Sequence, residues 1–136
     1  MPITRGIKEL CAEADRHITT LTVEEAHARM ADPDVVIVDI RDPRELDRDG
    51  MLPDAFSATR GMLEFWVDPE SPYYKPIFGD ESKQFVLYCA GGLRSALATY
   101  TLVQMGMTNV AHIGGGFAAW KKAGLPVVEN PKKHKD

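Results

Sequence analysis

The chain has 136 residues, of which 44% are hydrophobic and 26% are charged, as is ordinary for one globular domain with its own core. The formal net charge of −4 gives no basic surface for nucleic acid, and no apolar run approaches the roughly 18 residues that a membrane span needs. Neither a nucleic acid nor a membrane is therefore expected as a partner.

The first segment, residues 1–17, is predicted to be a helical extension. Apolar side chains at helical spacing predict an amphipathic helix over residues 3–16. These side chains are Ile3, Ile7, Leu10, Cys11 and Ala14. The segment is studded with charges and lacks the apolar region of a secretory signal, so a cytoplasmic location is expected.

The chain has two cysteines, Cys11 and Cys89, which are too few for a disulfide framework and are expected to be free thiols. Cys11 belongs to the apolar stripe of the first helix and is interpreted as a small buried hydrophobic residue. No Cys-x-x-Cys pair and no histidines paired at helical spacing occur, so neither a metal nor a cofactor is expected.

Predicted strands and helices alternate after the first segment. "HITTL" is a short strand candidate, and Thr22 with Glu25 forms a capping box that opens a helix to about Met30. Residues 35–40, "VVIVDI", are typical of a strand buried on both faces of a parallel sheet. "PRELDRD" is predicted to be a short helix that ends at Gly50.

Residues 56–84 show no clear periodicity and are predicted to be a long loop, with a turn or two of helix at "GMLEFW". The loop is rich in aromatic residues. Of Trp66, Tyr73 and Tyr74, about two are expected to be at least half buried.

The last third of the chain repeats the alternation. "FVLY" and "NVAHI" are predicted strands, while "RSALATYTLVQMG" and "GFAAWKKAG" are predicted helices that end at Gly106 and Gly124. Strands that alternate with helices indicate an α/β fold with a mostly parallel central sheet flanked by helices.

Cys89 ends the "FVLY" strand, and ligands of parallel sheets bind beyond the carboxyl ends of the strands. A helix is expected to begin near Arg94 or Ser95, and two glycines in between allow backbone N–H groups to converge on one point. Such a nest favours a thiolate at its centre, and Arg94 adds a charge that can bind an oxyanion. The pattern indicates a nucleophilic cysteine.

Three motifs in this order resemble the rhodanese family of sulfurtransferases. "CAGGLRS" resembles the family's active-site loop C-x-x-G-x-R-S, and "VVIVDIRDPRE" is similar to its strand that ends in Asp-x-Arg followed by Glu. "AHIGGGFAAWKKAGLPV" is similar to its closing pattern of strand, glycines, tryptophan and Gly-x-Pro-Val. The resemblance covers about residues 18–128, the predicted domain. Residues 129–136, with Lys132, Lys133 and Lys135, are predicted to be a basic flexible tail.

One stretch departs from the family pattern. Family members often read Gly-His-Ile-Pro-Gly-Ala where this chain has "GMLPDA", residues 50–55. Met51 stands in the histidine place and Asp54 in the place of the second glycine. The departure is expected to affect the local turn rather than activity.

The resemblance implies a three-layer α/β fold and a thiosulfate sulfurtransferase reaction. Cys89 would attack the outer sulfur of thiosulfate or a similar sulfane donor, and a thiol, cyanide or an acceptor protein would discharge the persulfide. The implied substrate-binding residues are Ala90, Gly91, Gly92, Leu93, Arg94 and Ser95. Asp39, Arg41 and Glu45 would stand behind this loop as ion pairs, and structural salt bridges at a strand end are an equal interpretation.

Two alternatives remain beside this interpretation. One is a sulfur carrier or interaction module with little turnover on small donors. The other is a cysteine phosphatase or arsenate reductase, which is disfavoured because phosphatase loops hold one residue more between cysteine and arginine than separates Cys89 from Arg94.

Two further features are interpreted as structural. Gly114, Gly116 and Ala119 fit a dinucleotide-binding pattern, but too few residues follow for the ribose ligand and further strands. His112 is interpreted as a strand histidine with satisfied hydrogen bonds rather than a base, because a thiolate in such a nest needs none.

Overall fold

The computed structural model of the chain describes residues 1–132, so Lys133 and Lys135 of the predicted tail lie outside the described residues. Strands span Thr20–Leu21 (β1), Val35–Asp39 (β2), Phe56–Ser57 (β3), Gln84–Tyr88 (β4) and Val110–Ile113 (β5). They form one five-stranded sheet in the order β1-β5-β4-β2-β3, and every neighbouring pair is parallel. The α/β fold with a mostly parallel sheet is confirmed.

Helices cover both faces of this sheet. Within residues 1–132, α-helices span Ile7–Asp15 (α1), Val23–Arg29 (α2), Pro43–Asp49 (α3), Leu63–Val67 (α4), Leu93–Gln104 (α5) and Gly116–Lys122 (α6). Short 3-10 helices span Arg60–Met62 and Pro76–Gly79. The predicted three-layer arrangement is therefore present.

The sheet separates two hydrophobic cores. One core packs side chains of β4 such as Leu87 against Leu102 of α5 and Leu63 of α4. The other packs Val86 of β4 against Trp120 of α6 and the first turns of α2. Because successive strand residues face opposite sides, Cys89 falls with Leu87 on the α5 side of the sheet.

Helix starts follow the capping chemistry of the sequence. Glu25 N–H donates to the Thr22 hydroxyl at 3.1 Å, and Thr22 N–H donates to the Glu25 carboxylate at 3.0 Å, which confirms the predicted capping box. Asp42 and Glu45 form a second capping box, with Pro43 as the first residue of α3. Gly50 ends α3 as predicted.

The first helix is shorter than predicted. It begins at Ile7 rather than residue 3, and Ile3 and Ile7 are 81% and 56% exposed. The apolar spacing was misleading because no core surface lies opposite these side chains, whereas Cys11 and Ala14 are buried.

Two further bounds differ from the prediction. The segment predicted as a loop over residues 56–84 begins with β3, a two-residue edge strand that is too short to show a periodicity. Helix α5 begins at Leu93, ahead of the predicted start, because Gly92 takes a left-handed conformation with φ 97° and turns the chain directly into the helix.

The aromatic segment splits between core and surface. Trp66 and Tyr74 are more than half buried and Tyr73 is 58% exposed, which confirms the expectation for these three side chains. Lys75 Nζ lies 4.3 Å from the centre of the Trp66 ring.

In the described part of the chain, no helix is long and apolar enough to cross a membrane.

Candidate active site

The Cys89 sulfur lies at the amino-terminal end of α5. Its Sγ accepts hydrogen bonds from the backbone N–H groups of Gly92, at 3.1 Å, and Ser95, at 3.3 Å. The residue is 1% exposed. Backbone donors at a helix start favour negative charge, so residues 89–95, here called the Cys89 loop, form a site that suits a thiolate.

A chain of polar side chains leads away from this sulfur. Cys89 Sγ lies 3.5 Å from Ser95 Oγ, which lies 2.9 Å from Nδ1 of His112 on β5. The other ring nitrogen, Nε2, lies 3.1 Å from Thr20 Oγ1 on β1. Burial lowers the pKa of His112, which favours the neutral imidazole.

The link from His112 to the sulfur was not found from the sequence. His112 pairs in register with Leu87, two residues before Cys89, so both side chains face α5. The available signal was the two-residue alternation of the two strands. It becomes informative only once β4 and β5 are known to be neighbours.

Arg94 lies at the rim of the site and is held by Glu45. Its Nη1 and Nη2 donate to the two carboxylate oxygens of Glu45 at 2.8 and 3.0 Å. This hydrogen-bonded pair joins α3 to α5, and it lowers the pKa of Glu45 below the ordinary value. Of the residues predicted to stand behind the loop, Glu45 is brought into direct contact with it.

Asp39 and Arg41 lie in a separate buried network. Arg41 Nε and Nη2 donate to the Asp39 carboxylate at 3.0 and 2.8 Å, and Nη2 also donates to the Gly50 carbonyl at 2.7 Å. The Tyr88 hydroxyl donates to Asp39, and burial raises the pKa of that phenol. Tyr88 faces the opposite side of the sheet from Cys89, so this network ties β2 to β4 and to the end of α3.

The first turn of α6 holds the backbone of the Cys89 loop through two hydrogen bonds. Phe117 N–H donates to the Cys89 carbonyl at 2.8 Å, and Ala118 N–H donates to the Ala90 carbonyl at 3.0 Å. Gly116 has φ 60°, and a Cβ there would lie 2.5 Å from the Cys89 carbonyl oxygen. Glycine at position 116 therefore allows the backbone of α6 to lie close to the backbone of Cys89 and Ala90.

A cavity of about 240 Å³ opens beside the Cys89 loop. Gly91, Gly92 and Leu93 line one side, and Thr20 and His112 line another. Cys11 and Asp15 of α1 complete the wall. Leu93, one of the implied substrate-binding residues, is 59% exposed at the rim of this cavity.

No group of three or more histidine, cysteine, aspartate or glutamate side chains within residues 1–132 is arranged to hold a metal ion. Both cysteines are free thiols.

Comparison with known sequences identifies the family of this chain. The family model described as rhodanese-like domain matches residues 22–123. A protein named sulfurtransferase from Allochromatium vinosum is 34% identical over 112 residues, which is 82% of this chain and 95% of that protein. A tRNA uridine(34) hydroxylase from Erwinia tasmaniensis is 30% identical over 132 residues, which is 92% of this chain but only 36% of the hydroxylase.

Solved structures agree with these matches. A Rhodopseudomonas palustris protein, described as of unknown function and a possible tyrosine phosphatase, is 61% identical with a TM-score of 0.90, over 94% of this chain and 98% of that one. A thiosulfate sulfurtransferase from Pseudomonas aeruginosa is 27% identical with a TM-score of 0.73, over 93% and 23% of the two chains. The polysulfide-sulfur transferase homodimer of Wolinella succinogenes is 27% identical with a TM-score of 0.67, over 94% and 90%.

Proposed function

The chain belongs to the rhodanese-like domain family, and from that premise we propose that it is a sulfurtransferase in which Cys89 carries the transferred sulfur as a persulfide. The observation that carries the proposal is the convergence of the Gly92 and Ser95 N–H groups on the Cys89 sulfur. These donors stabilise a thiolate, which is the nucleophilic form of cysteine. The sulfurtransferase name of the Allochromatium relative supports the same reaction class.

In the first half-reaction the Cys89 thiolate attacks the outer sulfur of thiosulfate. A bond forms between the two sulfur atoms, and the sulfur–sulfur bond of thiosulfate breaks as sulfite leaves with its electron pair. Cys89 becomes a persulfide anion. The backbone N–H groups of residues 90–94 are proposed to hold its outer sulfur.

In the second half-reaction a thiophilic acceptor takes the outer sulfur. A thiolate or cyanide attacks the terminal sulfur of the persulfide, and the bond to Cys89 Sγ breaks with its electron pair returning to the cysteine. The thiolate is regenerated in the same set of donors. Both halves pass through one enzyme-bound intermediate, which is the feature of a ping-pong cycle.

Arg94 and Leu93 are proposed to bind the donor at the rim. Arg94 is 39% exposed as a side chain, so a donor oxyanion can reach its guanidinium beside Glu45. Leu93 is 59% exposed and offers an apolar edge to the entrance. Neither contact is needed for the sulfur chemistry itself, so both are proposed as determinants of donor selectivity.

Phosphate ester hydrolysis is the second candidate, because the Rhodopseudomonas relative is described as a possible tyrosine phosphatase. Sulfur transfer is favoured over it by the length of the loop. Four residues separate Cys89 from Arg94, one fewer than in phosphatase loops, so the ring of backbone N–H groups is smaller than the ring that binds a phosphate group.

The proposal is tested by intact-protein mass spectrometry after incubation with thiosulfate. The unmodified protein is expected to gain one sulfur atom that cyanide removes, while Cys89→Ser gains none. Cys11→Ser is the matched control and should gain the sulfur, because Cys11 is a buried residue of α1 whose thiol donates to the Leu93 carbonyl, at 3.9 Å, rather than to the Cys89 sulfur.

A folded protein that gains no sulfur from thiosulfate or from polysulfide would overturn the proposal. Release of phosphate from p-nitrophenyl phosphate by that same protein, lost in Cys89→Ser, would favour the phosphatase candidate instead.

A further inference from the structure

His112 stands at the end of a hydrogen-bonded chain that begins at the nucleophile. Ser95 Oγ lies between the Cys89 sulfur, at 3.5 Å, and His112 Nδ1, at 2.9 Å. Ser95 is fully buried and His112 is 2% exposed. A buried histidine with a purely structural role needs hydrogen-bond partners for both ring nitrogens. Such a role does not explain why one of these partners is a hydroxyl group that also contacts the nucleophilic sulfur.

The direction of the chain depends on the tautomer of the neutral His112 ring, because both of its partners are hydroxyl groups that can donate or accept. In the tautomer that proton transfer requires, Nε2–H donates to Thr20 Oγ1 and Nδ1 accepts the Ser95 hydroxyl proton. Ser95 Oγ then accepts from the Cys89 thiol. The Gly92 carbonyl is a competing acceptor for the Ser95 hydroxyl, but at 3.4 Å it is farther than Nδ1. In this tautomer the Cys89 thiol and the Ser95 hydroxyl both donate in the direction of His112.

Burial and the neighbouring charges have opposite effects on the protonation of His112. The titratable groups that face it are Cys89, through Ser95, and Cys11 and Asp15 across the cavity. Asp15 raises the pKa of His112 while burial, the larger effect, lowers it. Thr20 and His112 both line the 240 Å³ cavity beside the Cys89 loop.

We propose that His112 is a positioning residue that takes up the Cys89 thiol proton through the Ser95 hydroxyl. The inference rests on the proposed function, since it concerns how the thiolate of that reaction forms. It differs from the interpretation of the sequence, in which the histidine was structural and the backbone donors alone generated the thiolate.

The transfer balances within three groups. The Cys89 S–H bond breaks and its proton binds Ser95 Oγ, while the original hydroxyl proton of Ser95 binds His112 Nδ1. The products are a thiolate and an imidazolium, and no electron leaves the site. In that state Ser95 O–H donates to the sulfur, beside the N–H groups of Gly92 and Ser95. The two protonation states belong to the pair as a whole.

The first test measures the pH at which the Cys89 thiolate forms. Thiolate absorbance in the ultraviolet is recorded against pH, with the matching Cys89→Ser protein subtracted. His112→Asn keeps a hydrogen-bonding side chain but cannot take up a proton, and it is expected to raise the midpoint by about one pH unit or more. His27→Asn is the control, because His27 lies exposed on α2 against the edge of Trp120.

A second measurement needs no histidine variant and so does not depend on the folding of one. The imidazole signals of His112 are followed by NMR against pH in the unmodified protein and in Cys89→Ser. His112 is expected to keep its charge to a higher pH when the thiolate is present. Identical His112 titrations in the two proteins, or an unchanged thiolate midpoint in a folded His112→Asn, would overturn the proposal.

The pH dependence of the rate of persulfide formation distinguishes loss of the proposed His112 role from structural damage caused by the substitution. In His112→Asn the rate is expected to approach the unmodified rate at high pH, where the thiol ionises without help, whereas structural damage lowers it at every pH. The absorbance and NMR readouts use no sulfur donor. Failure of thiosulfate to load the protein would therefore count against the proposed function while leaving the inference on His112 intact.

Discussion

Gly116 sets how close α6 can lie to the nucleophile. A Cβ at this position would lie 2.5 Å from the Cys89 carbonyl oxygen and 2.9 Å from the Ala90 carbonyl carbon. Its φ of 60° is in the left-handed region, which a side chain makes costly. The residue therefore acts on Cys89 through the backbone, without touching the sulfur.

Gly116→Ala is expected to lower the free energy of unfolding by about 2 kcal/mol or more, from backbone strain and from the forced shift of residues 89 and 90. Persulfide formation should fall as well, because the shift moves Sγ away from its donors. Urea unfolding and sulfur loading measure the two effects. Gly61→Ala is the matched control, since a Cβ there meets nothing within 4 Å and its φ is unremarkable. Equal stability of the two variants would contradict the account.

Asp54 shows how a departure from the family pattern is accommodated. It takes φ 59° in the turn before β3, the left-handed conformation that the glycine of the family pattern adopts without strain. Aspartate tolerates this region better than most side chains. Met51, in the histidine place, is 4% exposed and pairs through its backbone with Val128. Both replacements lie in the turn region, away from the Cys89 sulfur and its donors.

At the scale of elements, the Arg94–Glu45 pair fixes α3 against the start of α5. Glu45 is 19% exposed and also accepts from Asp42 N–H at 3.3 Å in the capping box of α3. One carboxylate thus holds its own helix start and the first turn of another helix. The contact ties the Cys89 loop to α3.

Glu45→Gln isolates the charge in this contact, because glutamine also serves in a capping box. Arg94 lowers the folded-state pKa of Glu45, so its contribution to stability is present above the unfolded pKa of about 4.3 and is lost as pH falls through the lowered folded value. At neutral pH the free energy of unfolding of the unmodified protein should exceed that of the variant by about 0.5 kcal/mol, because a partly exposed ion pair contributes little to stability.

Urea unfolding at neutral and acidic pH checks this expectation. The difference between the proteins should shrink as pH falls below about 4. Glu64→Gln, on the exposed side of α4, is the control and should show no such loss. If the difference in free energy of unfolding between the two proteins does not change with pH, the effect of the substitution comes from packing rather than from charge.

The elements that could be predicted from the sequence are those with local signals. Three such signals are the capping box at Thr22, the β-branched run of β2 and Gly92 before α5, and each determines structure within a few residues. The predicted loop over residues 56–84 did not include β3, because a two-residue edge strand shows no periodicity. The predicted start of the first helix at residue 3 was wrong, because the side chains of Ile3 and Ile7 are exposed rather than packed in a core. The link from Ser95 to His112 depends on β4 and β5 being neighbours, and one sequence does not give that order.

For the whole molecule, the strand order places the site at its centre. β4 lies between β5 and β2, so the carboxyl end that carries Cys89 is flanked by the ends of two other parallel strands. β5 contributes His112, and the segment after β2 contributes Glu45. A single buried sulfur thereby obtains neighbours that are far apart along the chain.

The domain limits inferred from the sequence remain a proposal, with residues 18–128 as the catalytic unit and residues 1–17 as an extension. The extension is packed, not free: Cys11 and Ala14 are buried, and His17 stacks on Tyr100 of α5 with ring centres 5.0 Å apart. Beyond the carboxyl limit, Asn130 donates to Asp47 of α3 at 2.8 Å. Both flanking segments therefore contribute contacts to the domain.

Deletion of residues 1–17 is expected to lower the free energy of unfolding by about 2 kcal/mol, because the uncovered face of α5 exposes on the order of 100 Å² of apolar surface. The sulfur should still load, since the donors to Cys89 Sγ all lie within residues 89–95. Urea unfolding and mass spectrometry measure the two properties. Deletion of residues 1–4, which are exposed and precede α1, is the control and should change neither. A folded deletion protein that cannot form the persulfide would make the first helix part of the catalytic unit and move the limit of the domain to include it.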